Sequence, residues 1–459
     1  MTDRRLACVV LAAGKGTRMK SDLPKVLHPL AGVPMVRHVV DAAASLGPER
    51  IVVVVGPGMD SVAAAVAPHP TVVQQRQQGT ADALAAALPL LEGFDGDVLV
   101  LYGDTPLIRA ETLARLAEAR RTPVGAAGTD PAVVVLGMRP DDPGAYGRLV
   151  LDADGGLARI VEYLDATPEE RALDLCNAGL MALDGGRLRA IMERIGNENA
   201  KGEYYLTDAV AVARAFGWTC AVVEGATEEA LGVNSRAELA ALEGLMQDRL
   251  RRAAMAAGAT LVDPATVWFA ADTRLGRDVT VGQNVVFGPG VTVEDGVEIL
   301  PFCHLTGVTI RRGAIVGPFA RMRPGSEIGE GAHIGNFVEV KGSRVGPGAK
   351  ANHLAYLGDT DVGAKSNIGA GTITCNYDGF LKHRTAIGAG VFVGSNSTLV
   401  APLRIGDGAF IAGGSVITTE VPADALAFGR TRQVVKEAWA VSYRARKQAE
   451  KAAKEKAKG

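Results

Sequence analysis

The chain has 459 residues, of which 47% are hydrophobic and 22% are charged, so it is long enough for two or three globular domains. Its net charge of −2 and pI near 6.4 give no electrostatic basis for nucleic acid as the main partner. Five scattered cysteines without the paired spacing of a zinc site favour a reducing cytoplasm, and no apolar run approaches the roughly 20 residues that cross a bilayer.

The front half alternates short, Val-rich apolar runs with stretches of helical periodicity. This alternation predicts an α/β fold with a parallel sheet whose strands are buried on both faces. The run at 6–13 follows Arg4 and Arg5 and so resembles a signal peptide, but it is short and leads into glycines, which favours a buried first strand. The predicted strands are 6–13, 51–55, 98–102 and 132–138, and the predicted helices are 33–46, 80–91 and 110–120.

The first predicted strand ends in a glycine-rich turn. Residues 11–19 read Leu-Ala-Ala-Gly-Lys-Gly-Thr-Arg-Met, and Pro24-Lys25 follows. Glycines at this place let backbone N–H groups approach a phosphate, and Arg18 and Lys25 add positive charge. The spacing matches neither a Walker A loop nor the dinucleotide Gly-x-Gly-x-x-Gly motif. A tight strand-to-helix turn without a ligand would have the same local pattern, so the turn alone leaves both interpretations open.

Asp104 and Asn234 lie next to predicted elements, the first after a strand and the second before a helix. Asp104 follows the strand predicted at 98–102, where open α/β sheets place ligands, although a loop-capping Asp is the alternative. Asn234 on its own would be a turn or helix-start residue, because Ser235 and Glu238 form a capping box. The helix that begins there has apolar residues at helical spacing and stops at Gly258, so it predicts a linker between two domains.

From about 275 to 417 the chain repeats a six-residue unit with an aliphatic residue followed by glycine, as in Val281-Gly282 and Ile328-Gly329. One unit buries only one aliphatic side chain, so successive units must stack to build a core. Three units per triangular turn place the aliphatic positions inside a prism. Glycines at the fourth position, such as Gly290 and Gly296, fit corners with positive φ. The period therefore predicts a parallel β-helix.

The repeat is interrupted in two places that suggest a site. Residues 374–387 form an excursion containing Asn376 and Tyr377, and a solenoid core gains nothing from such a loop. The stretch 351–358 breaks the aliphatic rhythm with His353 and Tyr356. A lone His is usually structural. Hexapeptide solenoids, however, commonly carry acyltransferases.

These motifs together resemble a known family. Residues 11–19 with Leu-Pro-Lys-Val-Leu at 23–27 are similar to the signature of sugar-1-phosphate nucleotidyltransferases. Nearly the whole chain resembles the bifunctional bacterial enzymes that combine N-acetylglucosamine-1-phosphate uridylyltransferase with glucosamine-1-phosphate N-acetyltransferase. The resemblance implies a Rossmann-like nucleotidyltransferase domain at 1–234, a linker helix at 235–258 and a left-handed parallel β-helix acetyltransferase domain at 259–435. The basic, polar tail at 436–459 is rich in Lys, Arg, Glu and Ala, which favours a frayed polar helix.

For the front domain, the resemblance implies uridylyl transfer from UTP with Mg²⁺, held by Asp104 and Asn234. Gln74, Gly79 and Thr80 would read the uracil, although Gln74 by itself equally fits an exposed strand end. Asp82 departs from the His that the family often has beside the uracil pocket. The sugar pocket would include Glu162, whose alternative is a buried cap. The implied substrate-binding residues are Leu11, Ala12, Ala13, Gly14, Arg18, Lys25, Gln74, Gly79, Thr80, Tyr102, Gly103, Asp104, Gly147, Glu162, Asn177, Tyr205 and Asn234.

For the β-helix, the resemblance implies that His353 is the general base that removes a proton from the sugar amine as it attacks acetyl-CoA. Arg323 and Lys341 would clamp the phosphate of glucosamine 1-phosphate, although each alone fits a solvated surface. Glu339 would orient the imidazole or face solvent. The other implied residues are Tyr356, Asn367, Asn376 and Tyr377 for the sugar and the base, and Ala370, Ser395, Gly413 and Arg430 for acetyl-CoA.

The expected activity is acetylation of glucosamine 1-phosphate, then uridylyl transfer to N-acetylglucosamine 1-phosphate, giving UDP-N-acetylglucosamine and pyrophosphate for peptidoglycan and lipopolysaccharide precursors. The resemblance also implies a cytoplasmic homotrimer with small-molecule substrates and neither nucleic acid nor membrane as a partner. A one-activity nucleotidyltransferase with a structural β-helix leaves His353 unexplained. A non-catalytic scaffold has no use for Lys25 and Asp104.

Overall fold

The computed structural model describes residues 5–124, 128–199 and 201–457. It divides into two compact units. The first contains 1–257, 268–273 and 287–289, and the second contains 258–267, 274–286 and 290–459. Arg4 of the signal-like start and the last two residues of the predicted tail lie outside the described residues.

The first unit is built on a mixed sheet. In the described part of the chain its strands are β1 (Leu6–Leu11), β4 (Arg50–Val55), β5 (Thr71–Val73), β6 (Asp97–Tyr102), β7 (Val133–Met138), β8 (Arg148–Leu151), β9 (Leu157–Val161), β10 (Cys176–Asp184) and β11 (Cys220–Glu224), with a separate hairpin of β2 (Pro29–Leu30) and β3 (Val33–Pro34). The main path of the sheet has the order β11-β7-β10-β6-β1-β4-β5.

Helices connect these strands. They are α1 (Met35–Ala44), α2 (Asp60–Val66), α3 (Thr80–Ala87), α4 (Ala110–Ala119), α5 (Pro168–Arg171), α6 (Gly185–Met192), α7 (Asp208–Ala215), α8 (Thr227–Ala230) and α9 (Arg236–Ala256), with 3₁₀ turns at Thr17–Met19, Lys25–Leu27, Leu88–Leu91 and Pro264–Thr266. Alternate residues of β1 enter different cores: Ala7 and Val9 pack with one cluster, and Cys8 and Val10 with the other. A strand buried on both faces therefore appears in sequence as an unbroken apolar run.

The prediction of a parallel sheet is correct only for part of it. Strand β1 pairs in parallel with β4 and β6, and β4 with β5. Strand β10, however, is antiparallel to both β6 and β7. The sequence could not reveal this, because a central strand buried on both faces has the same apolar composition in either direction.

Helix α9 begins at the predicted capping box. Ser235 Oγ accepts a hydrogen bond from Glu238 N at 3.3 Å, and Glu238 Oε2 accepts one from Ser235 N at 3.0 Å. Gly258, just beyond the helix, has φ of 103°, as a stop signal requires. Leu242 and Met246 pack in a cluster with Met19 and other residues of the first unit. The predicted linker helix is thus an integral part of this unit.

The second unit is a left-handed parallel β-helix in which a strand generally pairs with the one three positions later, except that β36 pairs with β38 at the end of the coil. One face contains β12 (Thr260–Leu261), β15 (Thr280–Val281), β18 (Glu298–Ile299), β21 (Ile315–Val316), β24 (His333–Asn336), β27 (Lys350–His353), β30 (Asn367–Ile368), β33 (Phe392–Val393), β36 (Phe410–Ile411) and β38 (Leu426–Ala427). Another contains β14 (Arg274–Leu275), β17 (Thr292–Val293), β20 (Val308–Ile310), β23 (Ser326–Ile328), β26 (Arg344–Val345), β29 (Thr360–Val362), β32 (Thr385–Ile387) and β35 (Leu403–Ile405).

The third face contains β19 (His304–Leu305), β22 (Arg321–Met322), β25 (Glu339–Lys341), β28 (Tyr356–Gly358), β31 (Ile373–Cys375), β34 (Thr398–Val400) and β37 (Val416–Ile417). Two more short strands are β13 (Trp268–Phe269) and β16 (Val286–Phe287). The predicted aliphatic positions form the core: Val281, Ile299 and Leu305 are each fully buried. The six-residue period is thus confirmed as the repeat of a triangular coil.

The corners hold both expected and unexpected residues. Gly290 and Gly296 have φ of 75° and 66°, as predicted. Phe302, Phe319 and Phe337 occupy the same left-handed conformation, with φ between 56° and 63°, and stack at centroid distances of 4.9 and 5.2 Å. Bulky residues rarely adopt this conformation, so the hexad pattern did not predict them there.

Helix α10 (Trp439–Lys456) follows the coil, and none of its described residues is buried. The predicted polar tail is therefore a solvated helix along most of its length. Within the described residues, every helix is too short or too polar to span a membrane.

Candidate functional sites

The carboxyl ends of β1 and β6 border a cavity of about 510 Å³ in the first unit. Most residues predicted for the nucleotide line this space, which we call the nucleotide cavity: Leu11, Ala12, Ala13, Gly14, Lys25, Gln74, Gly79, Thr80, Tyr102 and Asp104. Arg18 lies on an exposed 3₁₀ turn outside the lining, and Gly103, whose N–H donates to Leu11 O at 2.9 Å, is also outside it. Lys15, Arg76, Gln77 and Glu203 also line it. The sequence analysis did not single them out as binding residues, although Lys15 lies within the glycine-rich motif.

Two glycines let the cavity walls approach each other. A Cβ at Gly16, where φ is 61°, would collide with the side chain of Lys25, so glycine is required for Lys25 to pack against the loop. A Cβ at Gly79, where φ is 114°, would lie 2.5 Å from the Tyr204 carbonyl oxygen. Backbone hydrogen bonds join the same segments, because Tyr204 N donates to Gln78 O at 2.8 Å and Ala81 N donates to Tyr204 O at 2.9 Å.

Gln74 is almost buried, with 5% of its surface exposed, and its amide nitrogen has two partners. Nε2 donates to Gly79 O at 2.9 Å and to Asp82 Oδ2 at 2.8 Å. The same Asp82 oxygen accepts a hydrogen bond from Gln78 N at 3.1 Å. Gln74 thus lines the cavity with a side chain fixed by hydrogen bonds. The alternative interpretation of the sequence, an exposed strand end, is wrong.

A second space of about 570 Å³, the sugar cavity, adjoins the first. Gly147, Glu162, Asn177 and Asn234 line it as predicted, and Tyr102 and Asp104 line both cavities. Tyr146 and Glu238 are additional lining residues that the sequence did not single out as pocket residues. Two groups bound in the two cavities would therefore lie next to each other at Asp104.

Tyr205 stands beside the sugar cavity rather than in its lining. Burial, followed by the negative charges of Glu203 and Glu162, raises its pKa, which places the phenol close to these carboxylates. Glu162 Oε1 accepts a hydrogen bond from Thr207 Oγ1 at 3.2 Å. Glu162 is thus an oriented acceptor at the wall of the cavity.

Asp104 and Asn234 both contact one cationic group. The Lys25 ammonium forms an ion pair with Asp104 and donates to Asn234 Oδ1 at 3.1 Å. Two oxygens that converge on a positive charge are the donor set of a hard cation with few protein ligands. The described residues contain no cluster of three or more His, Cys, Asp or Glu suited to a metal. The convergence of the Asp104 and Asn234 oxygens fits an ion such as Mg²⁺ that takes its remaining ligands from phosphates and water.

Tyr102 closes the wall between the two cavities. Burial, reinforced by the negative charge of Asp104, raises the pKa of its phenol, and Thr80 is its hydrogen-bonding partner. The phenol therefore keeps its proton and can donate a hydrogen bond.

His353 in the second unit is exposed at the end of β27. Its Nδ1 lies 2.9 Å from Asn336 Oδ1, and the two residues are register partners in the parallel ladder of β24 and β27. An amide oxygen only accepts, so in this amide orientation Nδ1 donates the hydrogen bond and the neutral imidazole keeps its lone pair on Nε2. Asn336 was missed at the sequence level because strand register is not visible there. Glu339, the suggested orienter, instead accepts from Arg323 Nη1 at 2.9 Å.

A cluster of cations lies on the same unit. Lys341 Nζ lies 2.9 Å from both carboxylate oxygens of Asp359, and this pairing raises the pKa of Lys341. The pKa of Lys382 is lowered, first by Lys341 and further by Arg323, so the three side chains share one region. Lys382, which belongs to the predicted excursion, was not singled out from the sequence. Asp359 and Glu339 pair with Lys341 and Arg323, so the cluster keeps an excess of one positive charge, which favours an anion such as a phosphate.

The excursion is an ordered loop between β31 and β32. Asn376 is buried and donates from Nδ2 to Asp359 Oδ2 at 2.5 Å, whereas Tyr377 is 59% exposed. Asp378 accepts hydrogen bonds from Leu381 N at 2.7 Å and His383 Nε2 at 2.8 Å. These bonds, with that of Leu381 N the strongest, lower the pKa of Asp378 to about 2. The loop thus carries Asn376 towards the cation cluster.

Three residues predicted for acetyl-CoA follow one another up the coil from His353. Gly371 N donates to His353 O at 3.3 Å, Asn396 N to Ala370 O at 2.7 Å, and Gly414 N to Ser395 O at 2.8 Å. Ala370, Ser395 and Gly413 therefore occupy successive turns. Asn367 lies in β30, which pairs with β27, the strand of His353, whereas Tyr356 lies in β28 on the third face. Arg430 is exposed beyond β38.

Comparison with known proteins covers both units. The MobA-like NTP transferase domain family matches residues 8–167, and the bacterial transferase hexapeptide (six repeats) family matches 307–342 and 384–419. A protein named bifunctional protein GlmU from Paramagnetospirillum magneticum is 60% identical over 455 residues, which cover 99% of this chain and 100% of the relative. Proteins of the same name from Rhodospirillum rubrum and Rhizorhabdus wittichii are 61% and 57% identical, and the matches cover 96% and 99% of this chain and 98% and 100% of those relatives.

Proposed function

The chain belongs to the GlmU family of bifunctional proteins, and we propose that its first unit carries out the uridylyl transfer and its second unit the acetyl transfer. The enzyme acetylates glucosamine 1-phosphate with acetyl-CoA and transfers UMP from UTP to the resulting N-acetylglucosamine 1-phosphate. The products are coenzyme A, UDP-N-acetylglucosamine and pyrophosphate. In residue ranges, we assign 1–234 to the first activity, 235–258 to a connecting helix, and 259–435 to the second.

Uridylyl transfer requires two anionic substrates to meet in line, with the sugar phosphate oxygen directed at the α-phosphorus of UTP. We assign UTP to the nucleotide cavity and the N-acetylglucosamine group to the sugar cavity. The backbone at 11–14 would receive the phosphates together with Lys25, and Gln74 would face the base. Glu162 would accept hydrogen bonds from sugar hydroxyls. Because both cavities are lined by Asp104, the reacting phosphates would meet beside this residue.

Asp104 and Asn234 are the residues that we assign to a Mg²⁺ ion. Their oxygens already share a cationic partner, the Lys25 ammonium, which supports a positive charge at this point. When bound, the ion neutralises phosphate charge and polarises the phosphorus under attack. The task of this chain's own residues is to orient the two substrates and to exclude competing water.

Acetyl transfer requires the amine of glucosamine 1-phosphate to lose a proton as it attacks acetyl-CoA. His353 Nε2 would take this proton while the nitrogen attacks the thioester carbonyl, and the carbon–sulfur bond then breaks to release coenzyme A as its thiolate. Asn336 Oδ1 would accept the hydrogen bond from Nδ1 and so favour the tautomer whose basic nitrogen is Nε2. Arg323, Lys341 and Lys382 would bind the phosphate, with Tyr356, Asn367, Asn376 and Tyr377 around the sugar. Ala370, Ser395, Gly413 and Arg430 would contact acetyl-CoA.

We also propose that the enzyme is a cytoplasmic homotrimer. The stacked Phe302, Phe319 and Phe337 are 45–54% exposed along one corner of the coil, an apolar stripe that a neighbouring copy would cover. The five cysteines are unpaired, as in a reducing compartment. Mass measurement in solution tests the trimer, and a monomeric mass at working concentration would contradict it.

The observation that best supports the two-site assignment is that each unit has its own reactive constellation: Asp104 between two cavities, and His353 exposed with an oriented imidazole. We expect His353→Ala to lose at least about 100-fold in acetyl transfer and to keep uridylyl transfer, because general bases contribute about 10²–10⁴-fold. Asp104→Ala should do the reverse. On the same preparations, acetyl transfer is measured with glucosamine 1-phosphate and acetyl-CoA, and uridylyl transfer is measured separately with N-acetylglucosamine 1-phosphate, UTP and Mg²⁺, so that neither assay depends on the other activity. Parallel loss of both rates in either variant would refute the division.

A further inference from the structure

The side chain of Gln74 has a fixed amide orientation. Its Nε2 lies 2.9 Å from Gly79 O and 2.8 Å from Asp82 Oδ2. A carbonyl oxygen and a carboxylate can only accept hydrogen bonds, so the nitrogen must be the atom that faces them. Both amide hydrogens are therefore used. Turning the amide over would place Oε1 against two acceptors.

This leaves Oε1 as the atom with which Gln74 can recognise a ligand. Gln74 lines the nucleotide cavity, and no described residue donates a hydrogen bond to its Oε1. In this orientation the side chain offers the cavity an acceptor and no donor. An acceptor at this position pairs with a ring N–H and repels a ring nitrogen lone pair.

Asp82 is the partner that fixes the Gln74 amide in a single orientation. Gly79 contributes only one backbone carbonyl, whereas Asp82 adds a charged acceptor from the first turn of α3. Its Oδ2 is also held by Gln78 N at 3.1 Å, so the carboxylate is positioned before any ligand arrives. Asp82 itself is not among the residues that line the cavity.

We propose that Asp82 is a specificity-determining residue that acts through Gln74 to select nucleotides whose base presents an N–H at ring position 3. This inference rests on the proposed placement of UTP in the nucleotide cavity with Gln74 at the base. Uracil presents N3–H as a donor, whereas the N3 of cytosine is an acceptor. A glutamine free to turn over would donate to cytosine N3. Asp82 blocks that orientation, so Gln74 Oε1 would face the N3 lone pair of cytosine. The repulsion between these two acceptors disfavours CTP relative to UTP.

The test compares UTP and CTP as substrates of the full-length enzyme with N-acetylglucosamine 1-phosphate and Mg²⁺. Asp82→Asn keeps the size of the side chain, removes the charge and adds an NH₂ group that can donate to Gln74 Oε1, so only the Gly79 carbonyl oxygen still opposes the reversed amide. We expect the ratio of kcat/KM for UTP over CTP to fall about tenfold or more, the effect of one hydrogen bond to a charged group. The fall should arise from a higher KM for UTP and a higher kcat/KM for CTP, with kcat for UTP nearly unchanged, because the base is remote from the reacting phosphorus.

A matched control is available on another helix. Asp60 is an exposed carboxylate in the first turn of α2, as Asp82 is in the first turn of α3, and it lines neither cavity. Asp60→Asn removes an equivalent helix-terminal charge and should leave the UTP to CTP ratio unchanged. The acetyl-transfer rate of each preparation reports how much of the chain is folded.

Gln74→Ala separates this inference from the assignment on which it rests. If this variant leaves KM for UTP unchanged, Gln74 does not face the base, and both the placement of the base and the inference are wrong. If it raises KM for UTP but Asp82→Asn keeps the wild-type selectivity, only the role of Asp82 is refuted. Equal loss with UTP and CTP in Asp82→Asn, repeated in Asp82→Ser, would mean that Asp82 merely builds the loop and would also overturn the inference.

Discussion

The contact between Asn336 and His353 supports a quantitative prediction. Asn336→Ala removes the oxygen that lies 2.9 Å from His353 Nδ1 and leaves the backbone ladder of β24 and β27 in place. The imidazole then loses the partner that keeps the proton on Nδ1. Part of the population turns its protonated nitrogen towards the substrate and cannot act as a base.

The magnitude follows from the exposure of the pair. A hydrogen bond to a group that becomes charged contributes about 1.5–3 kcal/mol when water is excluded, which corresponds to about 10- to 150-fold in rate. His353 is exposed, so water replaces part of the lost bond, and the lower end of this range applies. We therefore expect kcat for acetyl transfer to fall about tenfold, with little change in KM for acetyl-CoA.

The assay follows release of the coenzyme A thiol at saturating glucosamine 1-phosphate, and uridylyl transfer of the same sample serves as the internal control. Asn336→Asp retains an acceptor at the same distance and should recover most of the rate. A kcat for Asn336→Ala within twofold of wild type would refute the orienting role. So would an Asp variant as slow as the Ala variant.

The remaining predictions concern the first unit. Removal of divalent cations with a chelator should abolish uridylyl transfer, spare acetyl transfer, and be reversed by added Mg²⁺; uridylyl turnover that continues under chelation would exclude the metal role of Asp104 and Asn234. Gly79→Ala should raise KM for UTP at least about fivefold, because a Cβ at φ of 114° lies 2.5 Å from the Tyr204 carbonyl oxygen and strain of this kind costs about 1–3 kcal/mol. Gly58→Ala is the control in steady-state kinetics. Gly58 also has positive φ, at 72°, but no atom lies within 4 Å of its Cβ position. An equal change in KM in both variants would show that the contact with the Tyr204 carbonyl oxygen is not the cause.

The two halves of the chain differed in how well sequence predicted them. The hexad period identified the triangular coil because each repeat buries its aliphatic residue in the same way, so a local pattern maps directly onto a long-range core. The sheet was harder. The strands at 98–102 and 132–138 were predicted within a residue or two, yet β10 between them runs antiparallel, and burial on both faces conceals strand direction.

The sites show the same contrast. Motif residues such as Lys25, Gln74 and Asp104 were predicted and do line one cavity, because loops that follow neighbouring parallel strands end at the same edge. Arg18 belongs to the same motif but lies outside the cavity lining, since it occupies an exposed 3₁₀ turn. Asn336 and Lys382 had no motif. Their positions depend on which turn of the coil stacks on which and on how the excursion folds back.

By itself, the sequence determined the repeating coil, the glycine loop and the residue types needed for phosphate and acyl chemistry, because each of these depends on spacing within a few residues. Only the tertiary structure decided the partners: Asn336 for His353, Asp82 for Gln74, and Lys25 for both Asp104 and Asn234. Except for the short contact of Gln74 with Asp82 across a turn, these pairs are 17 or more residues apart, and such distances close only when strands find their register and elements pack.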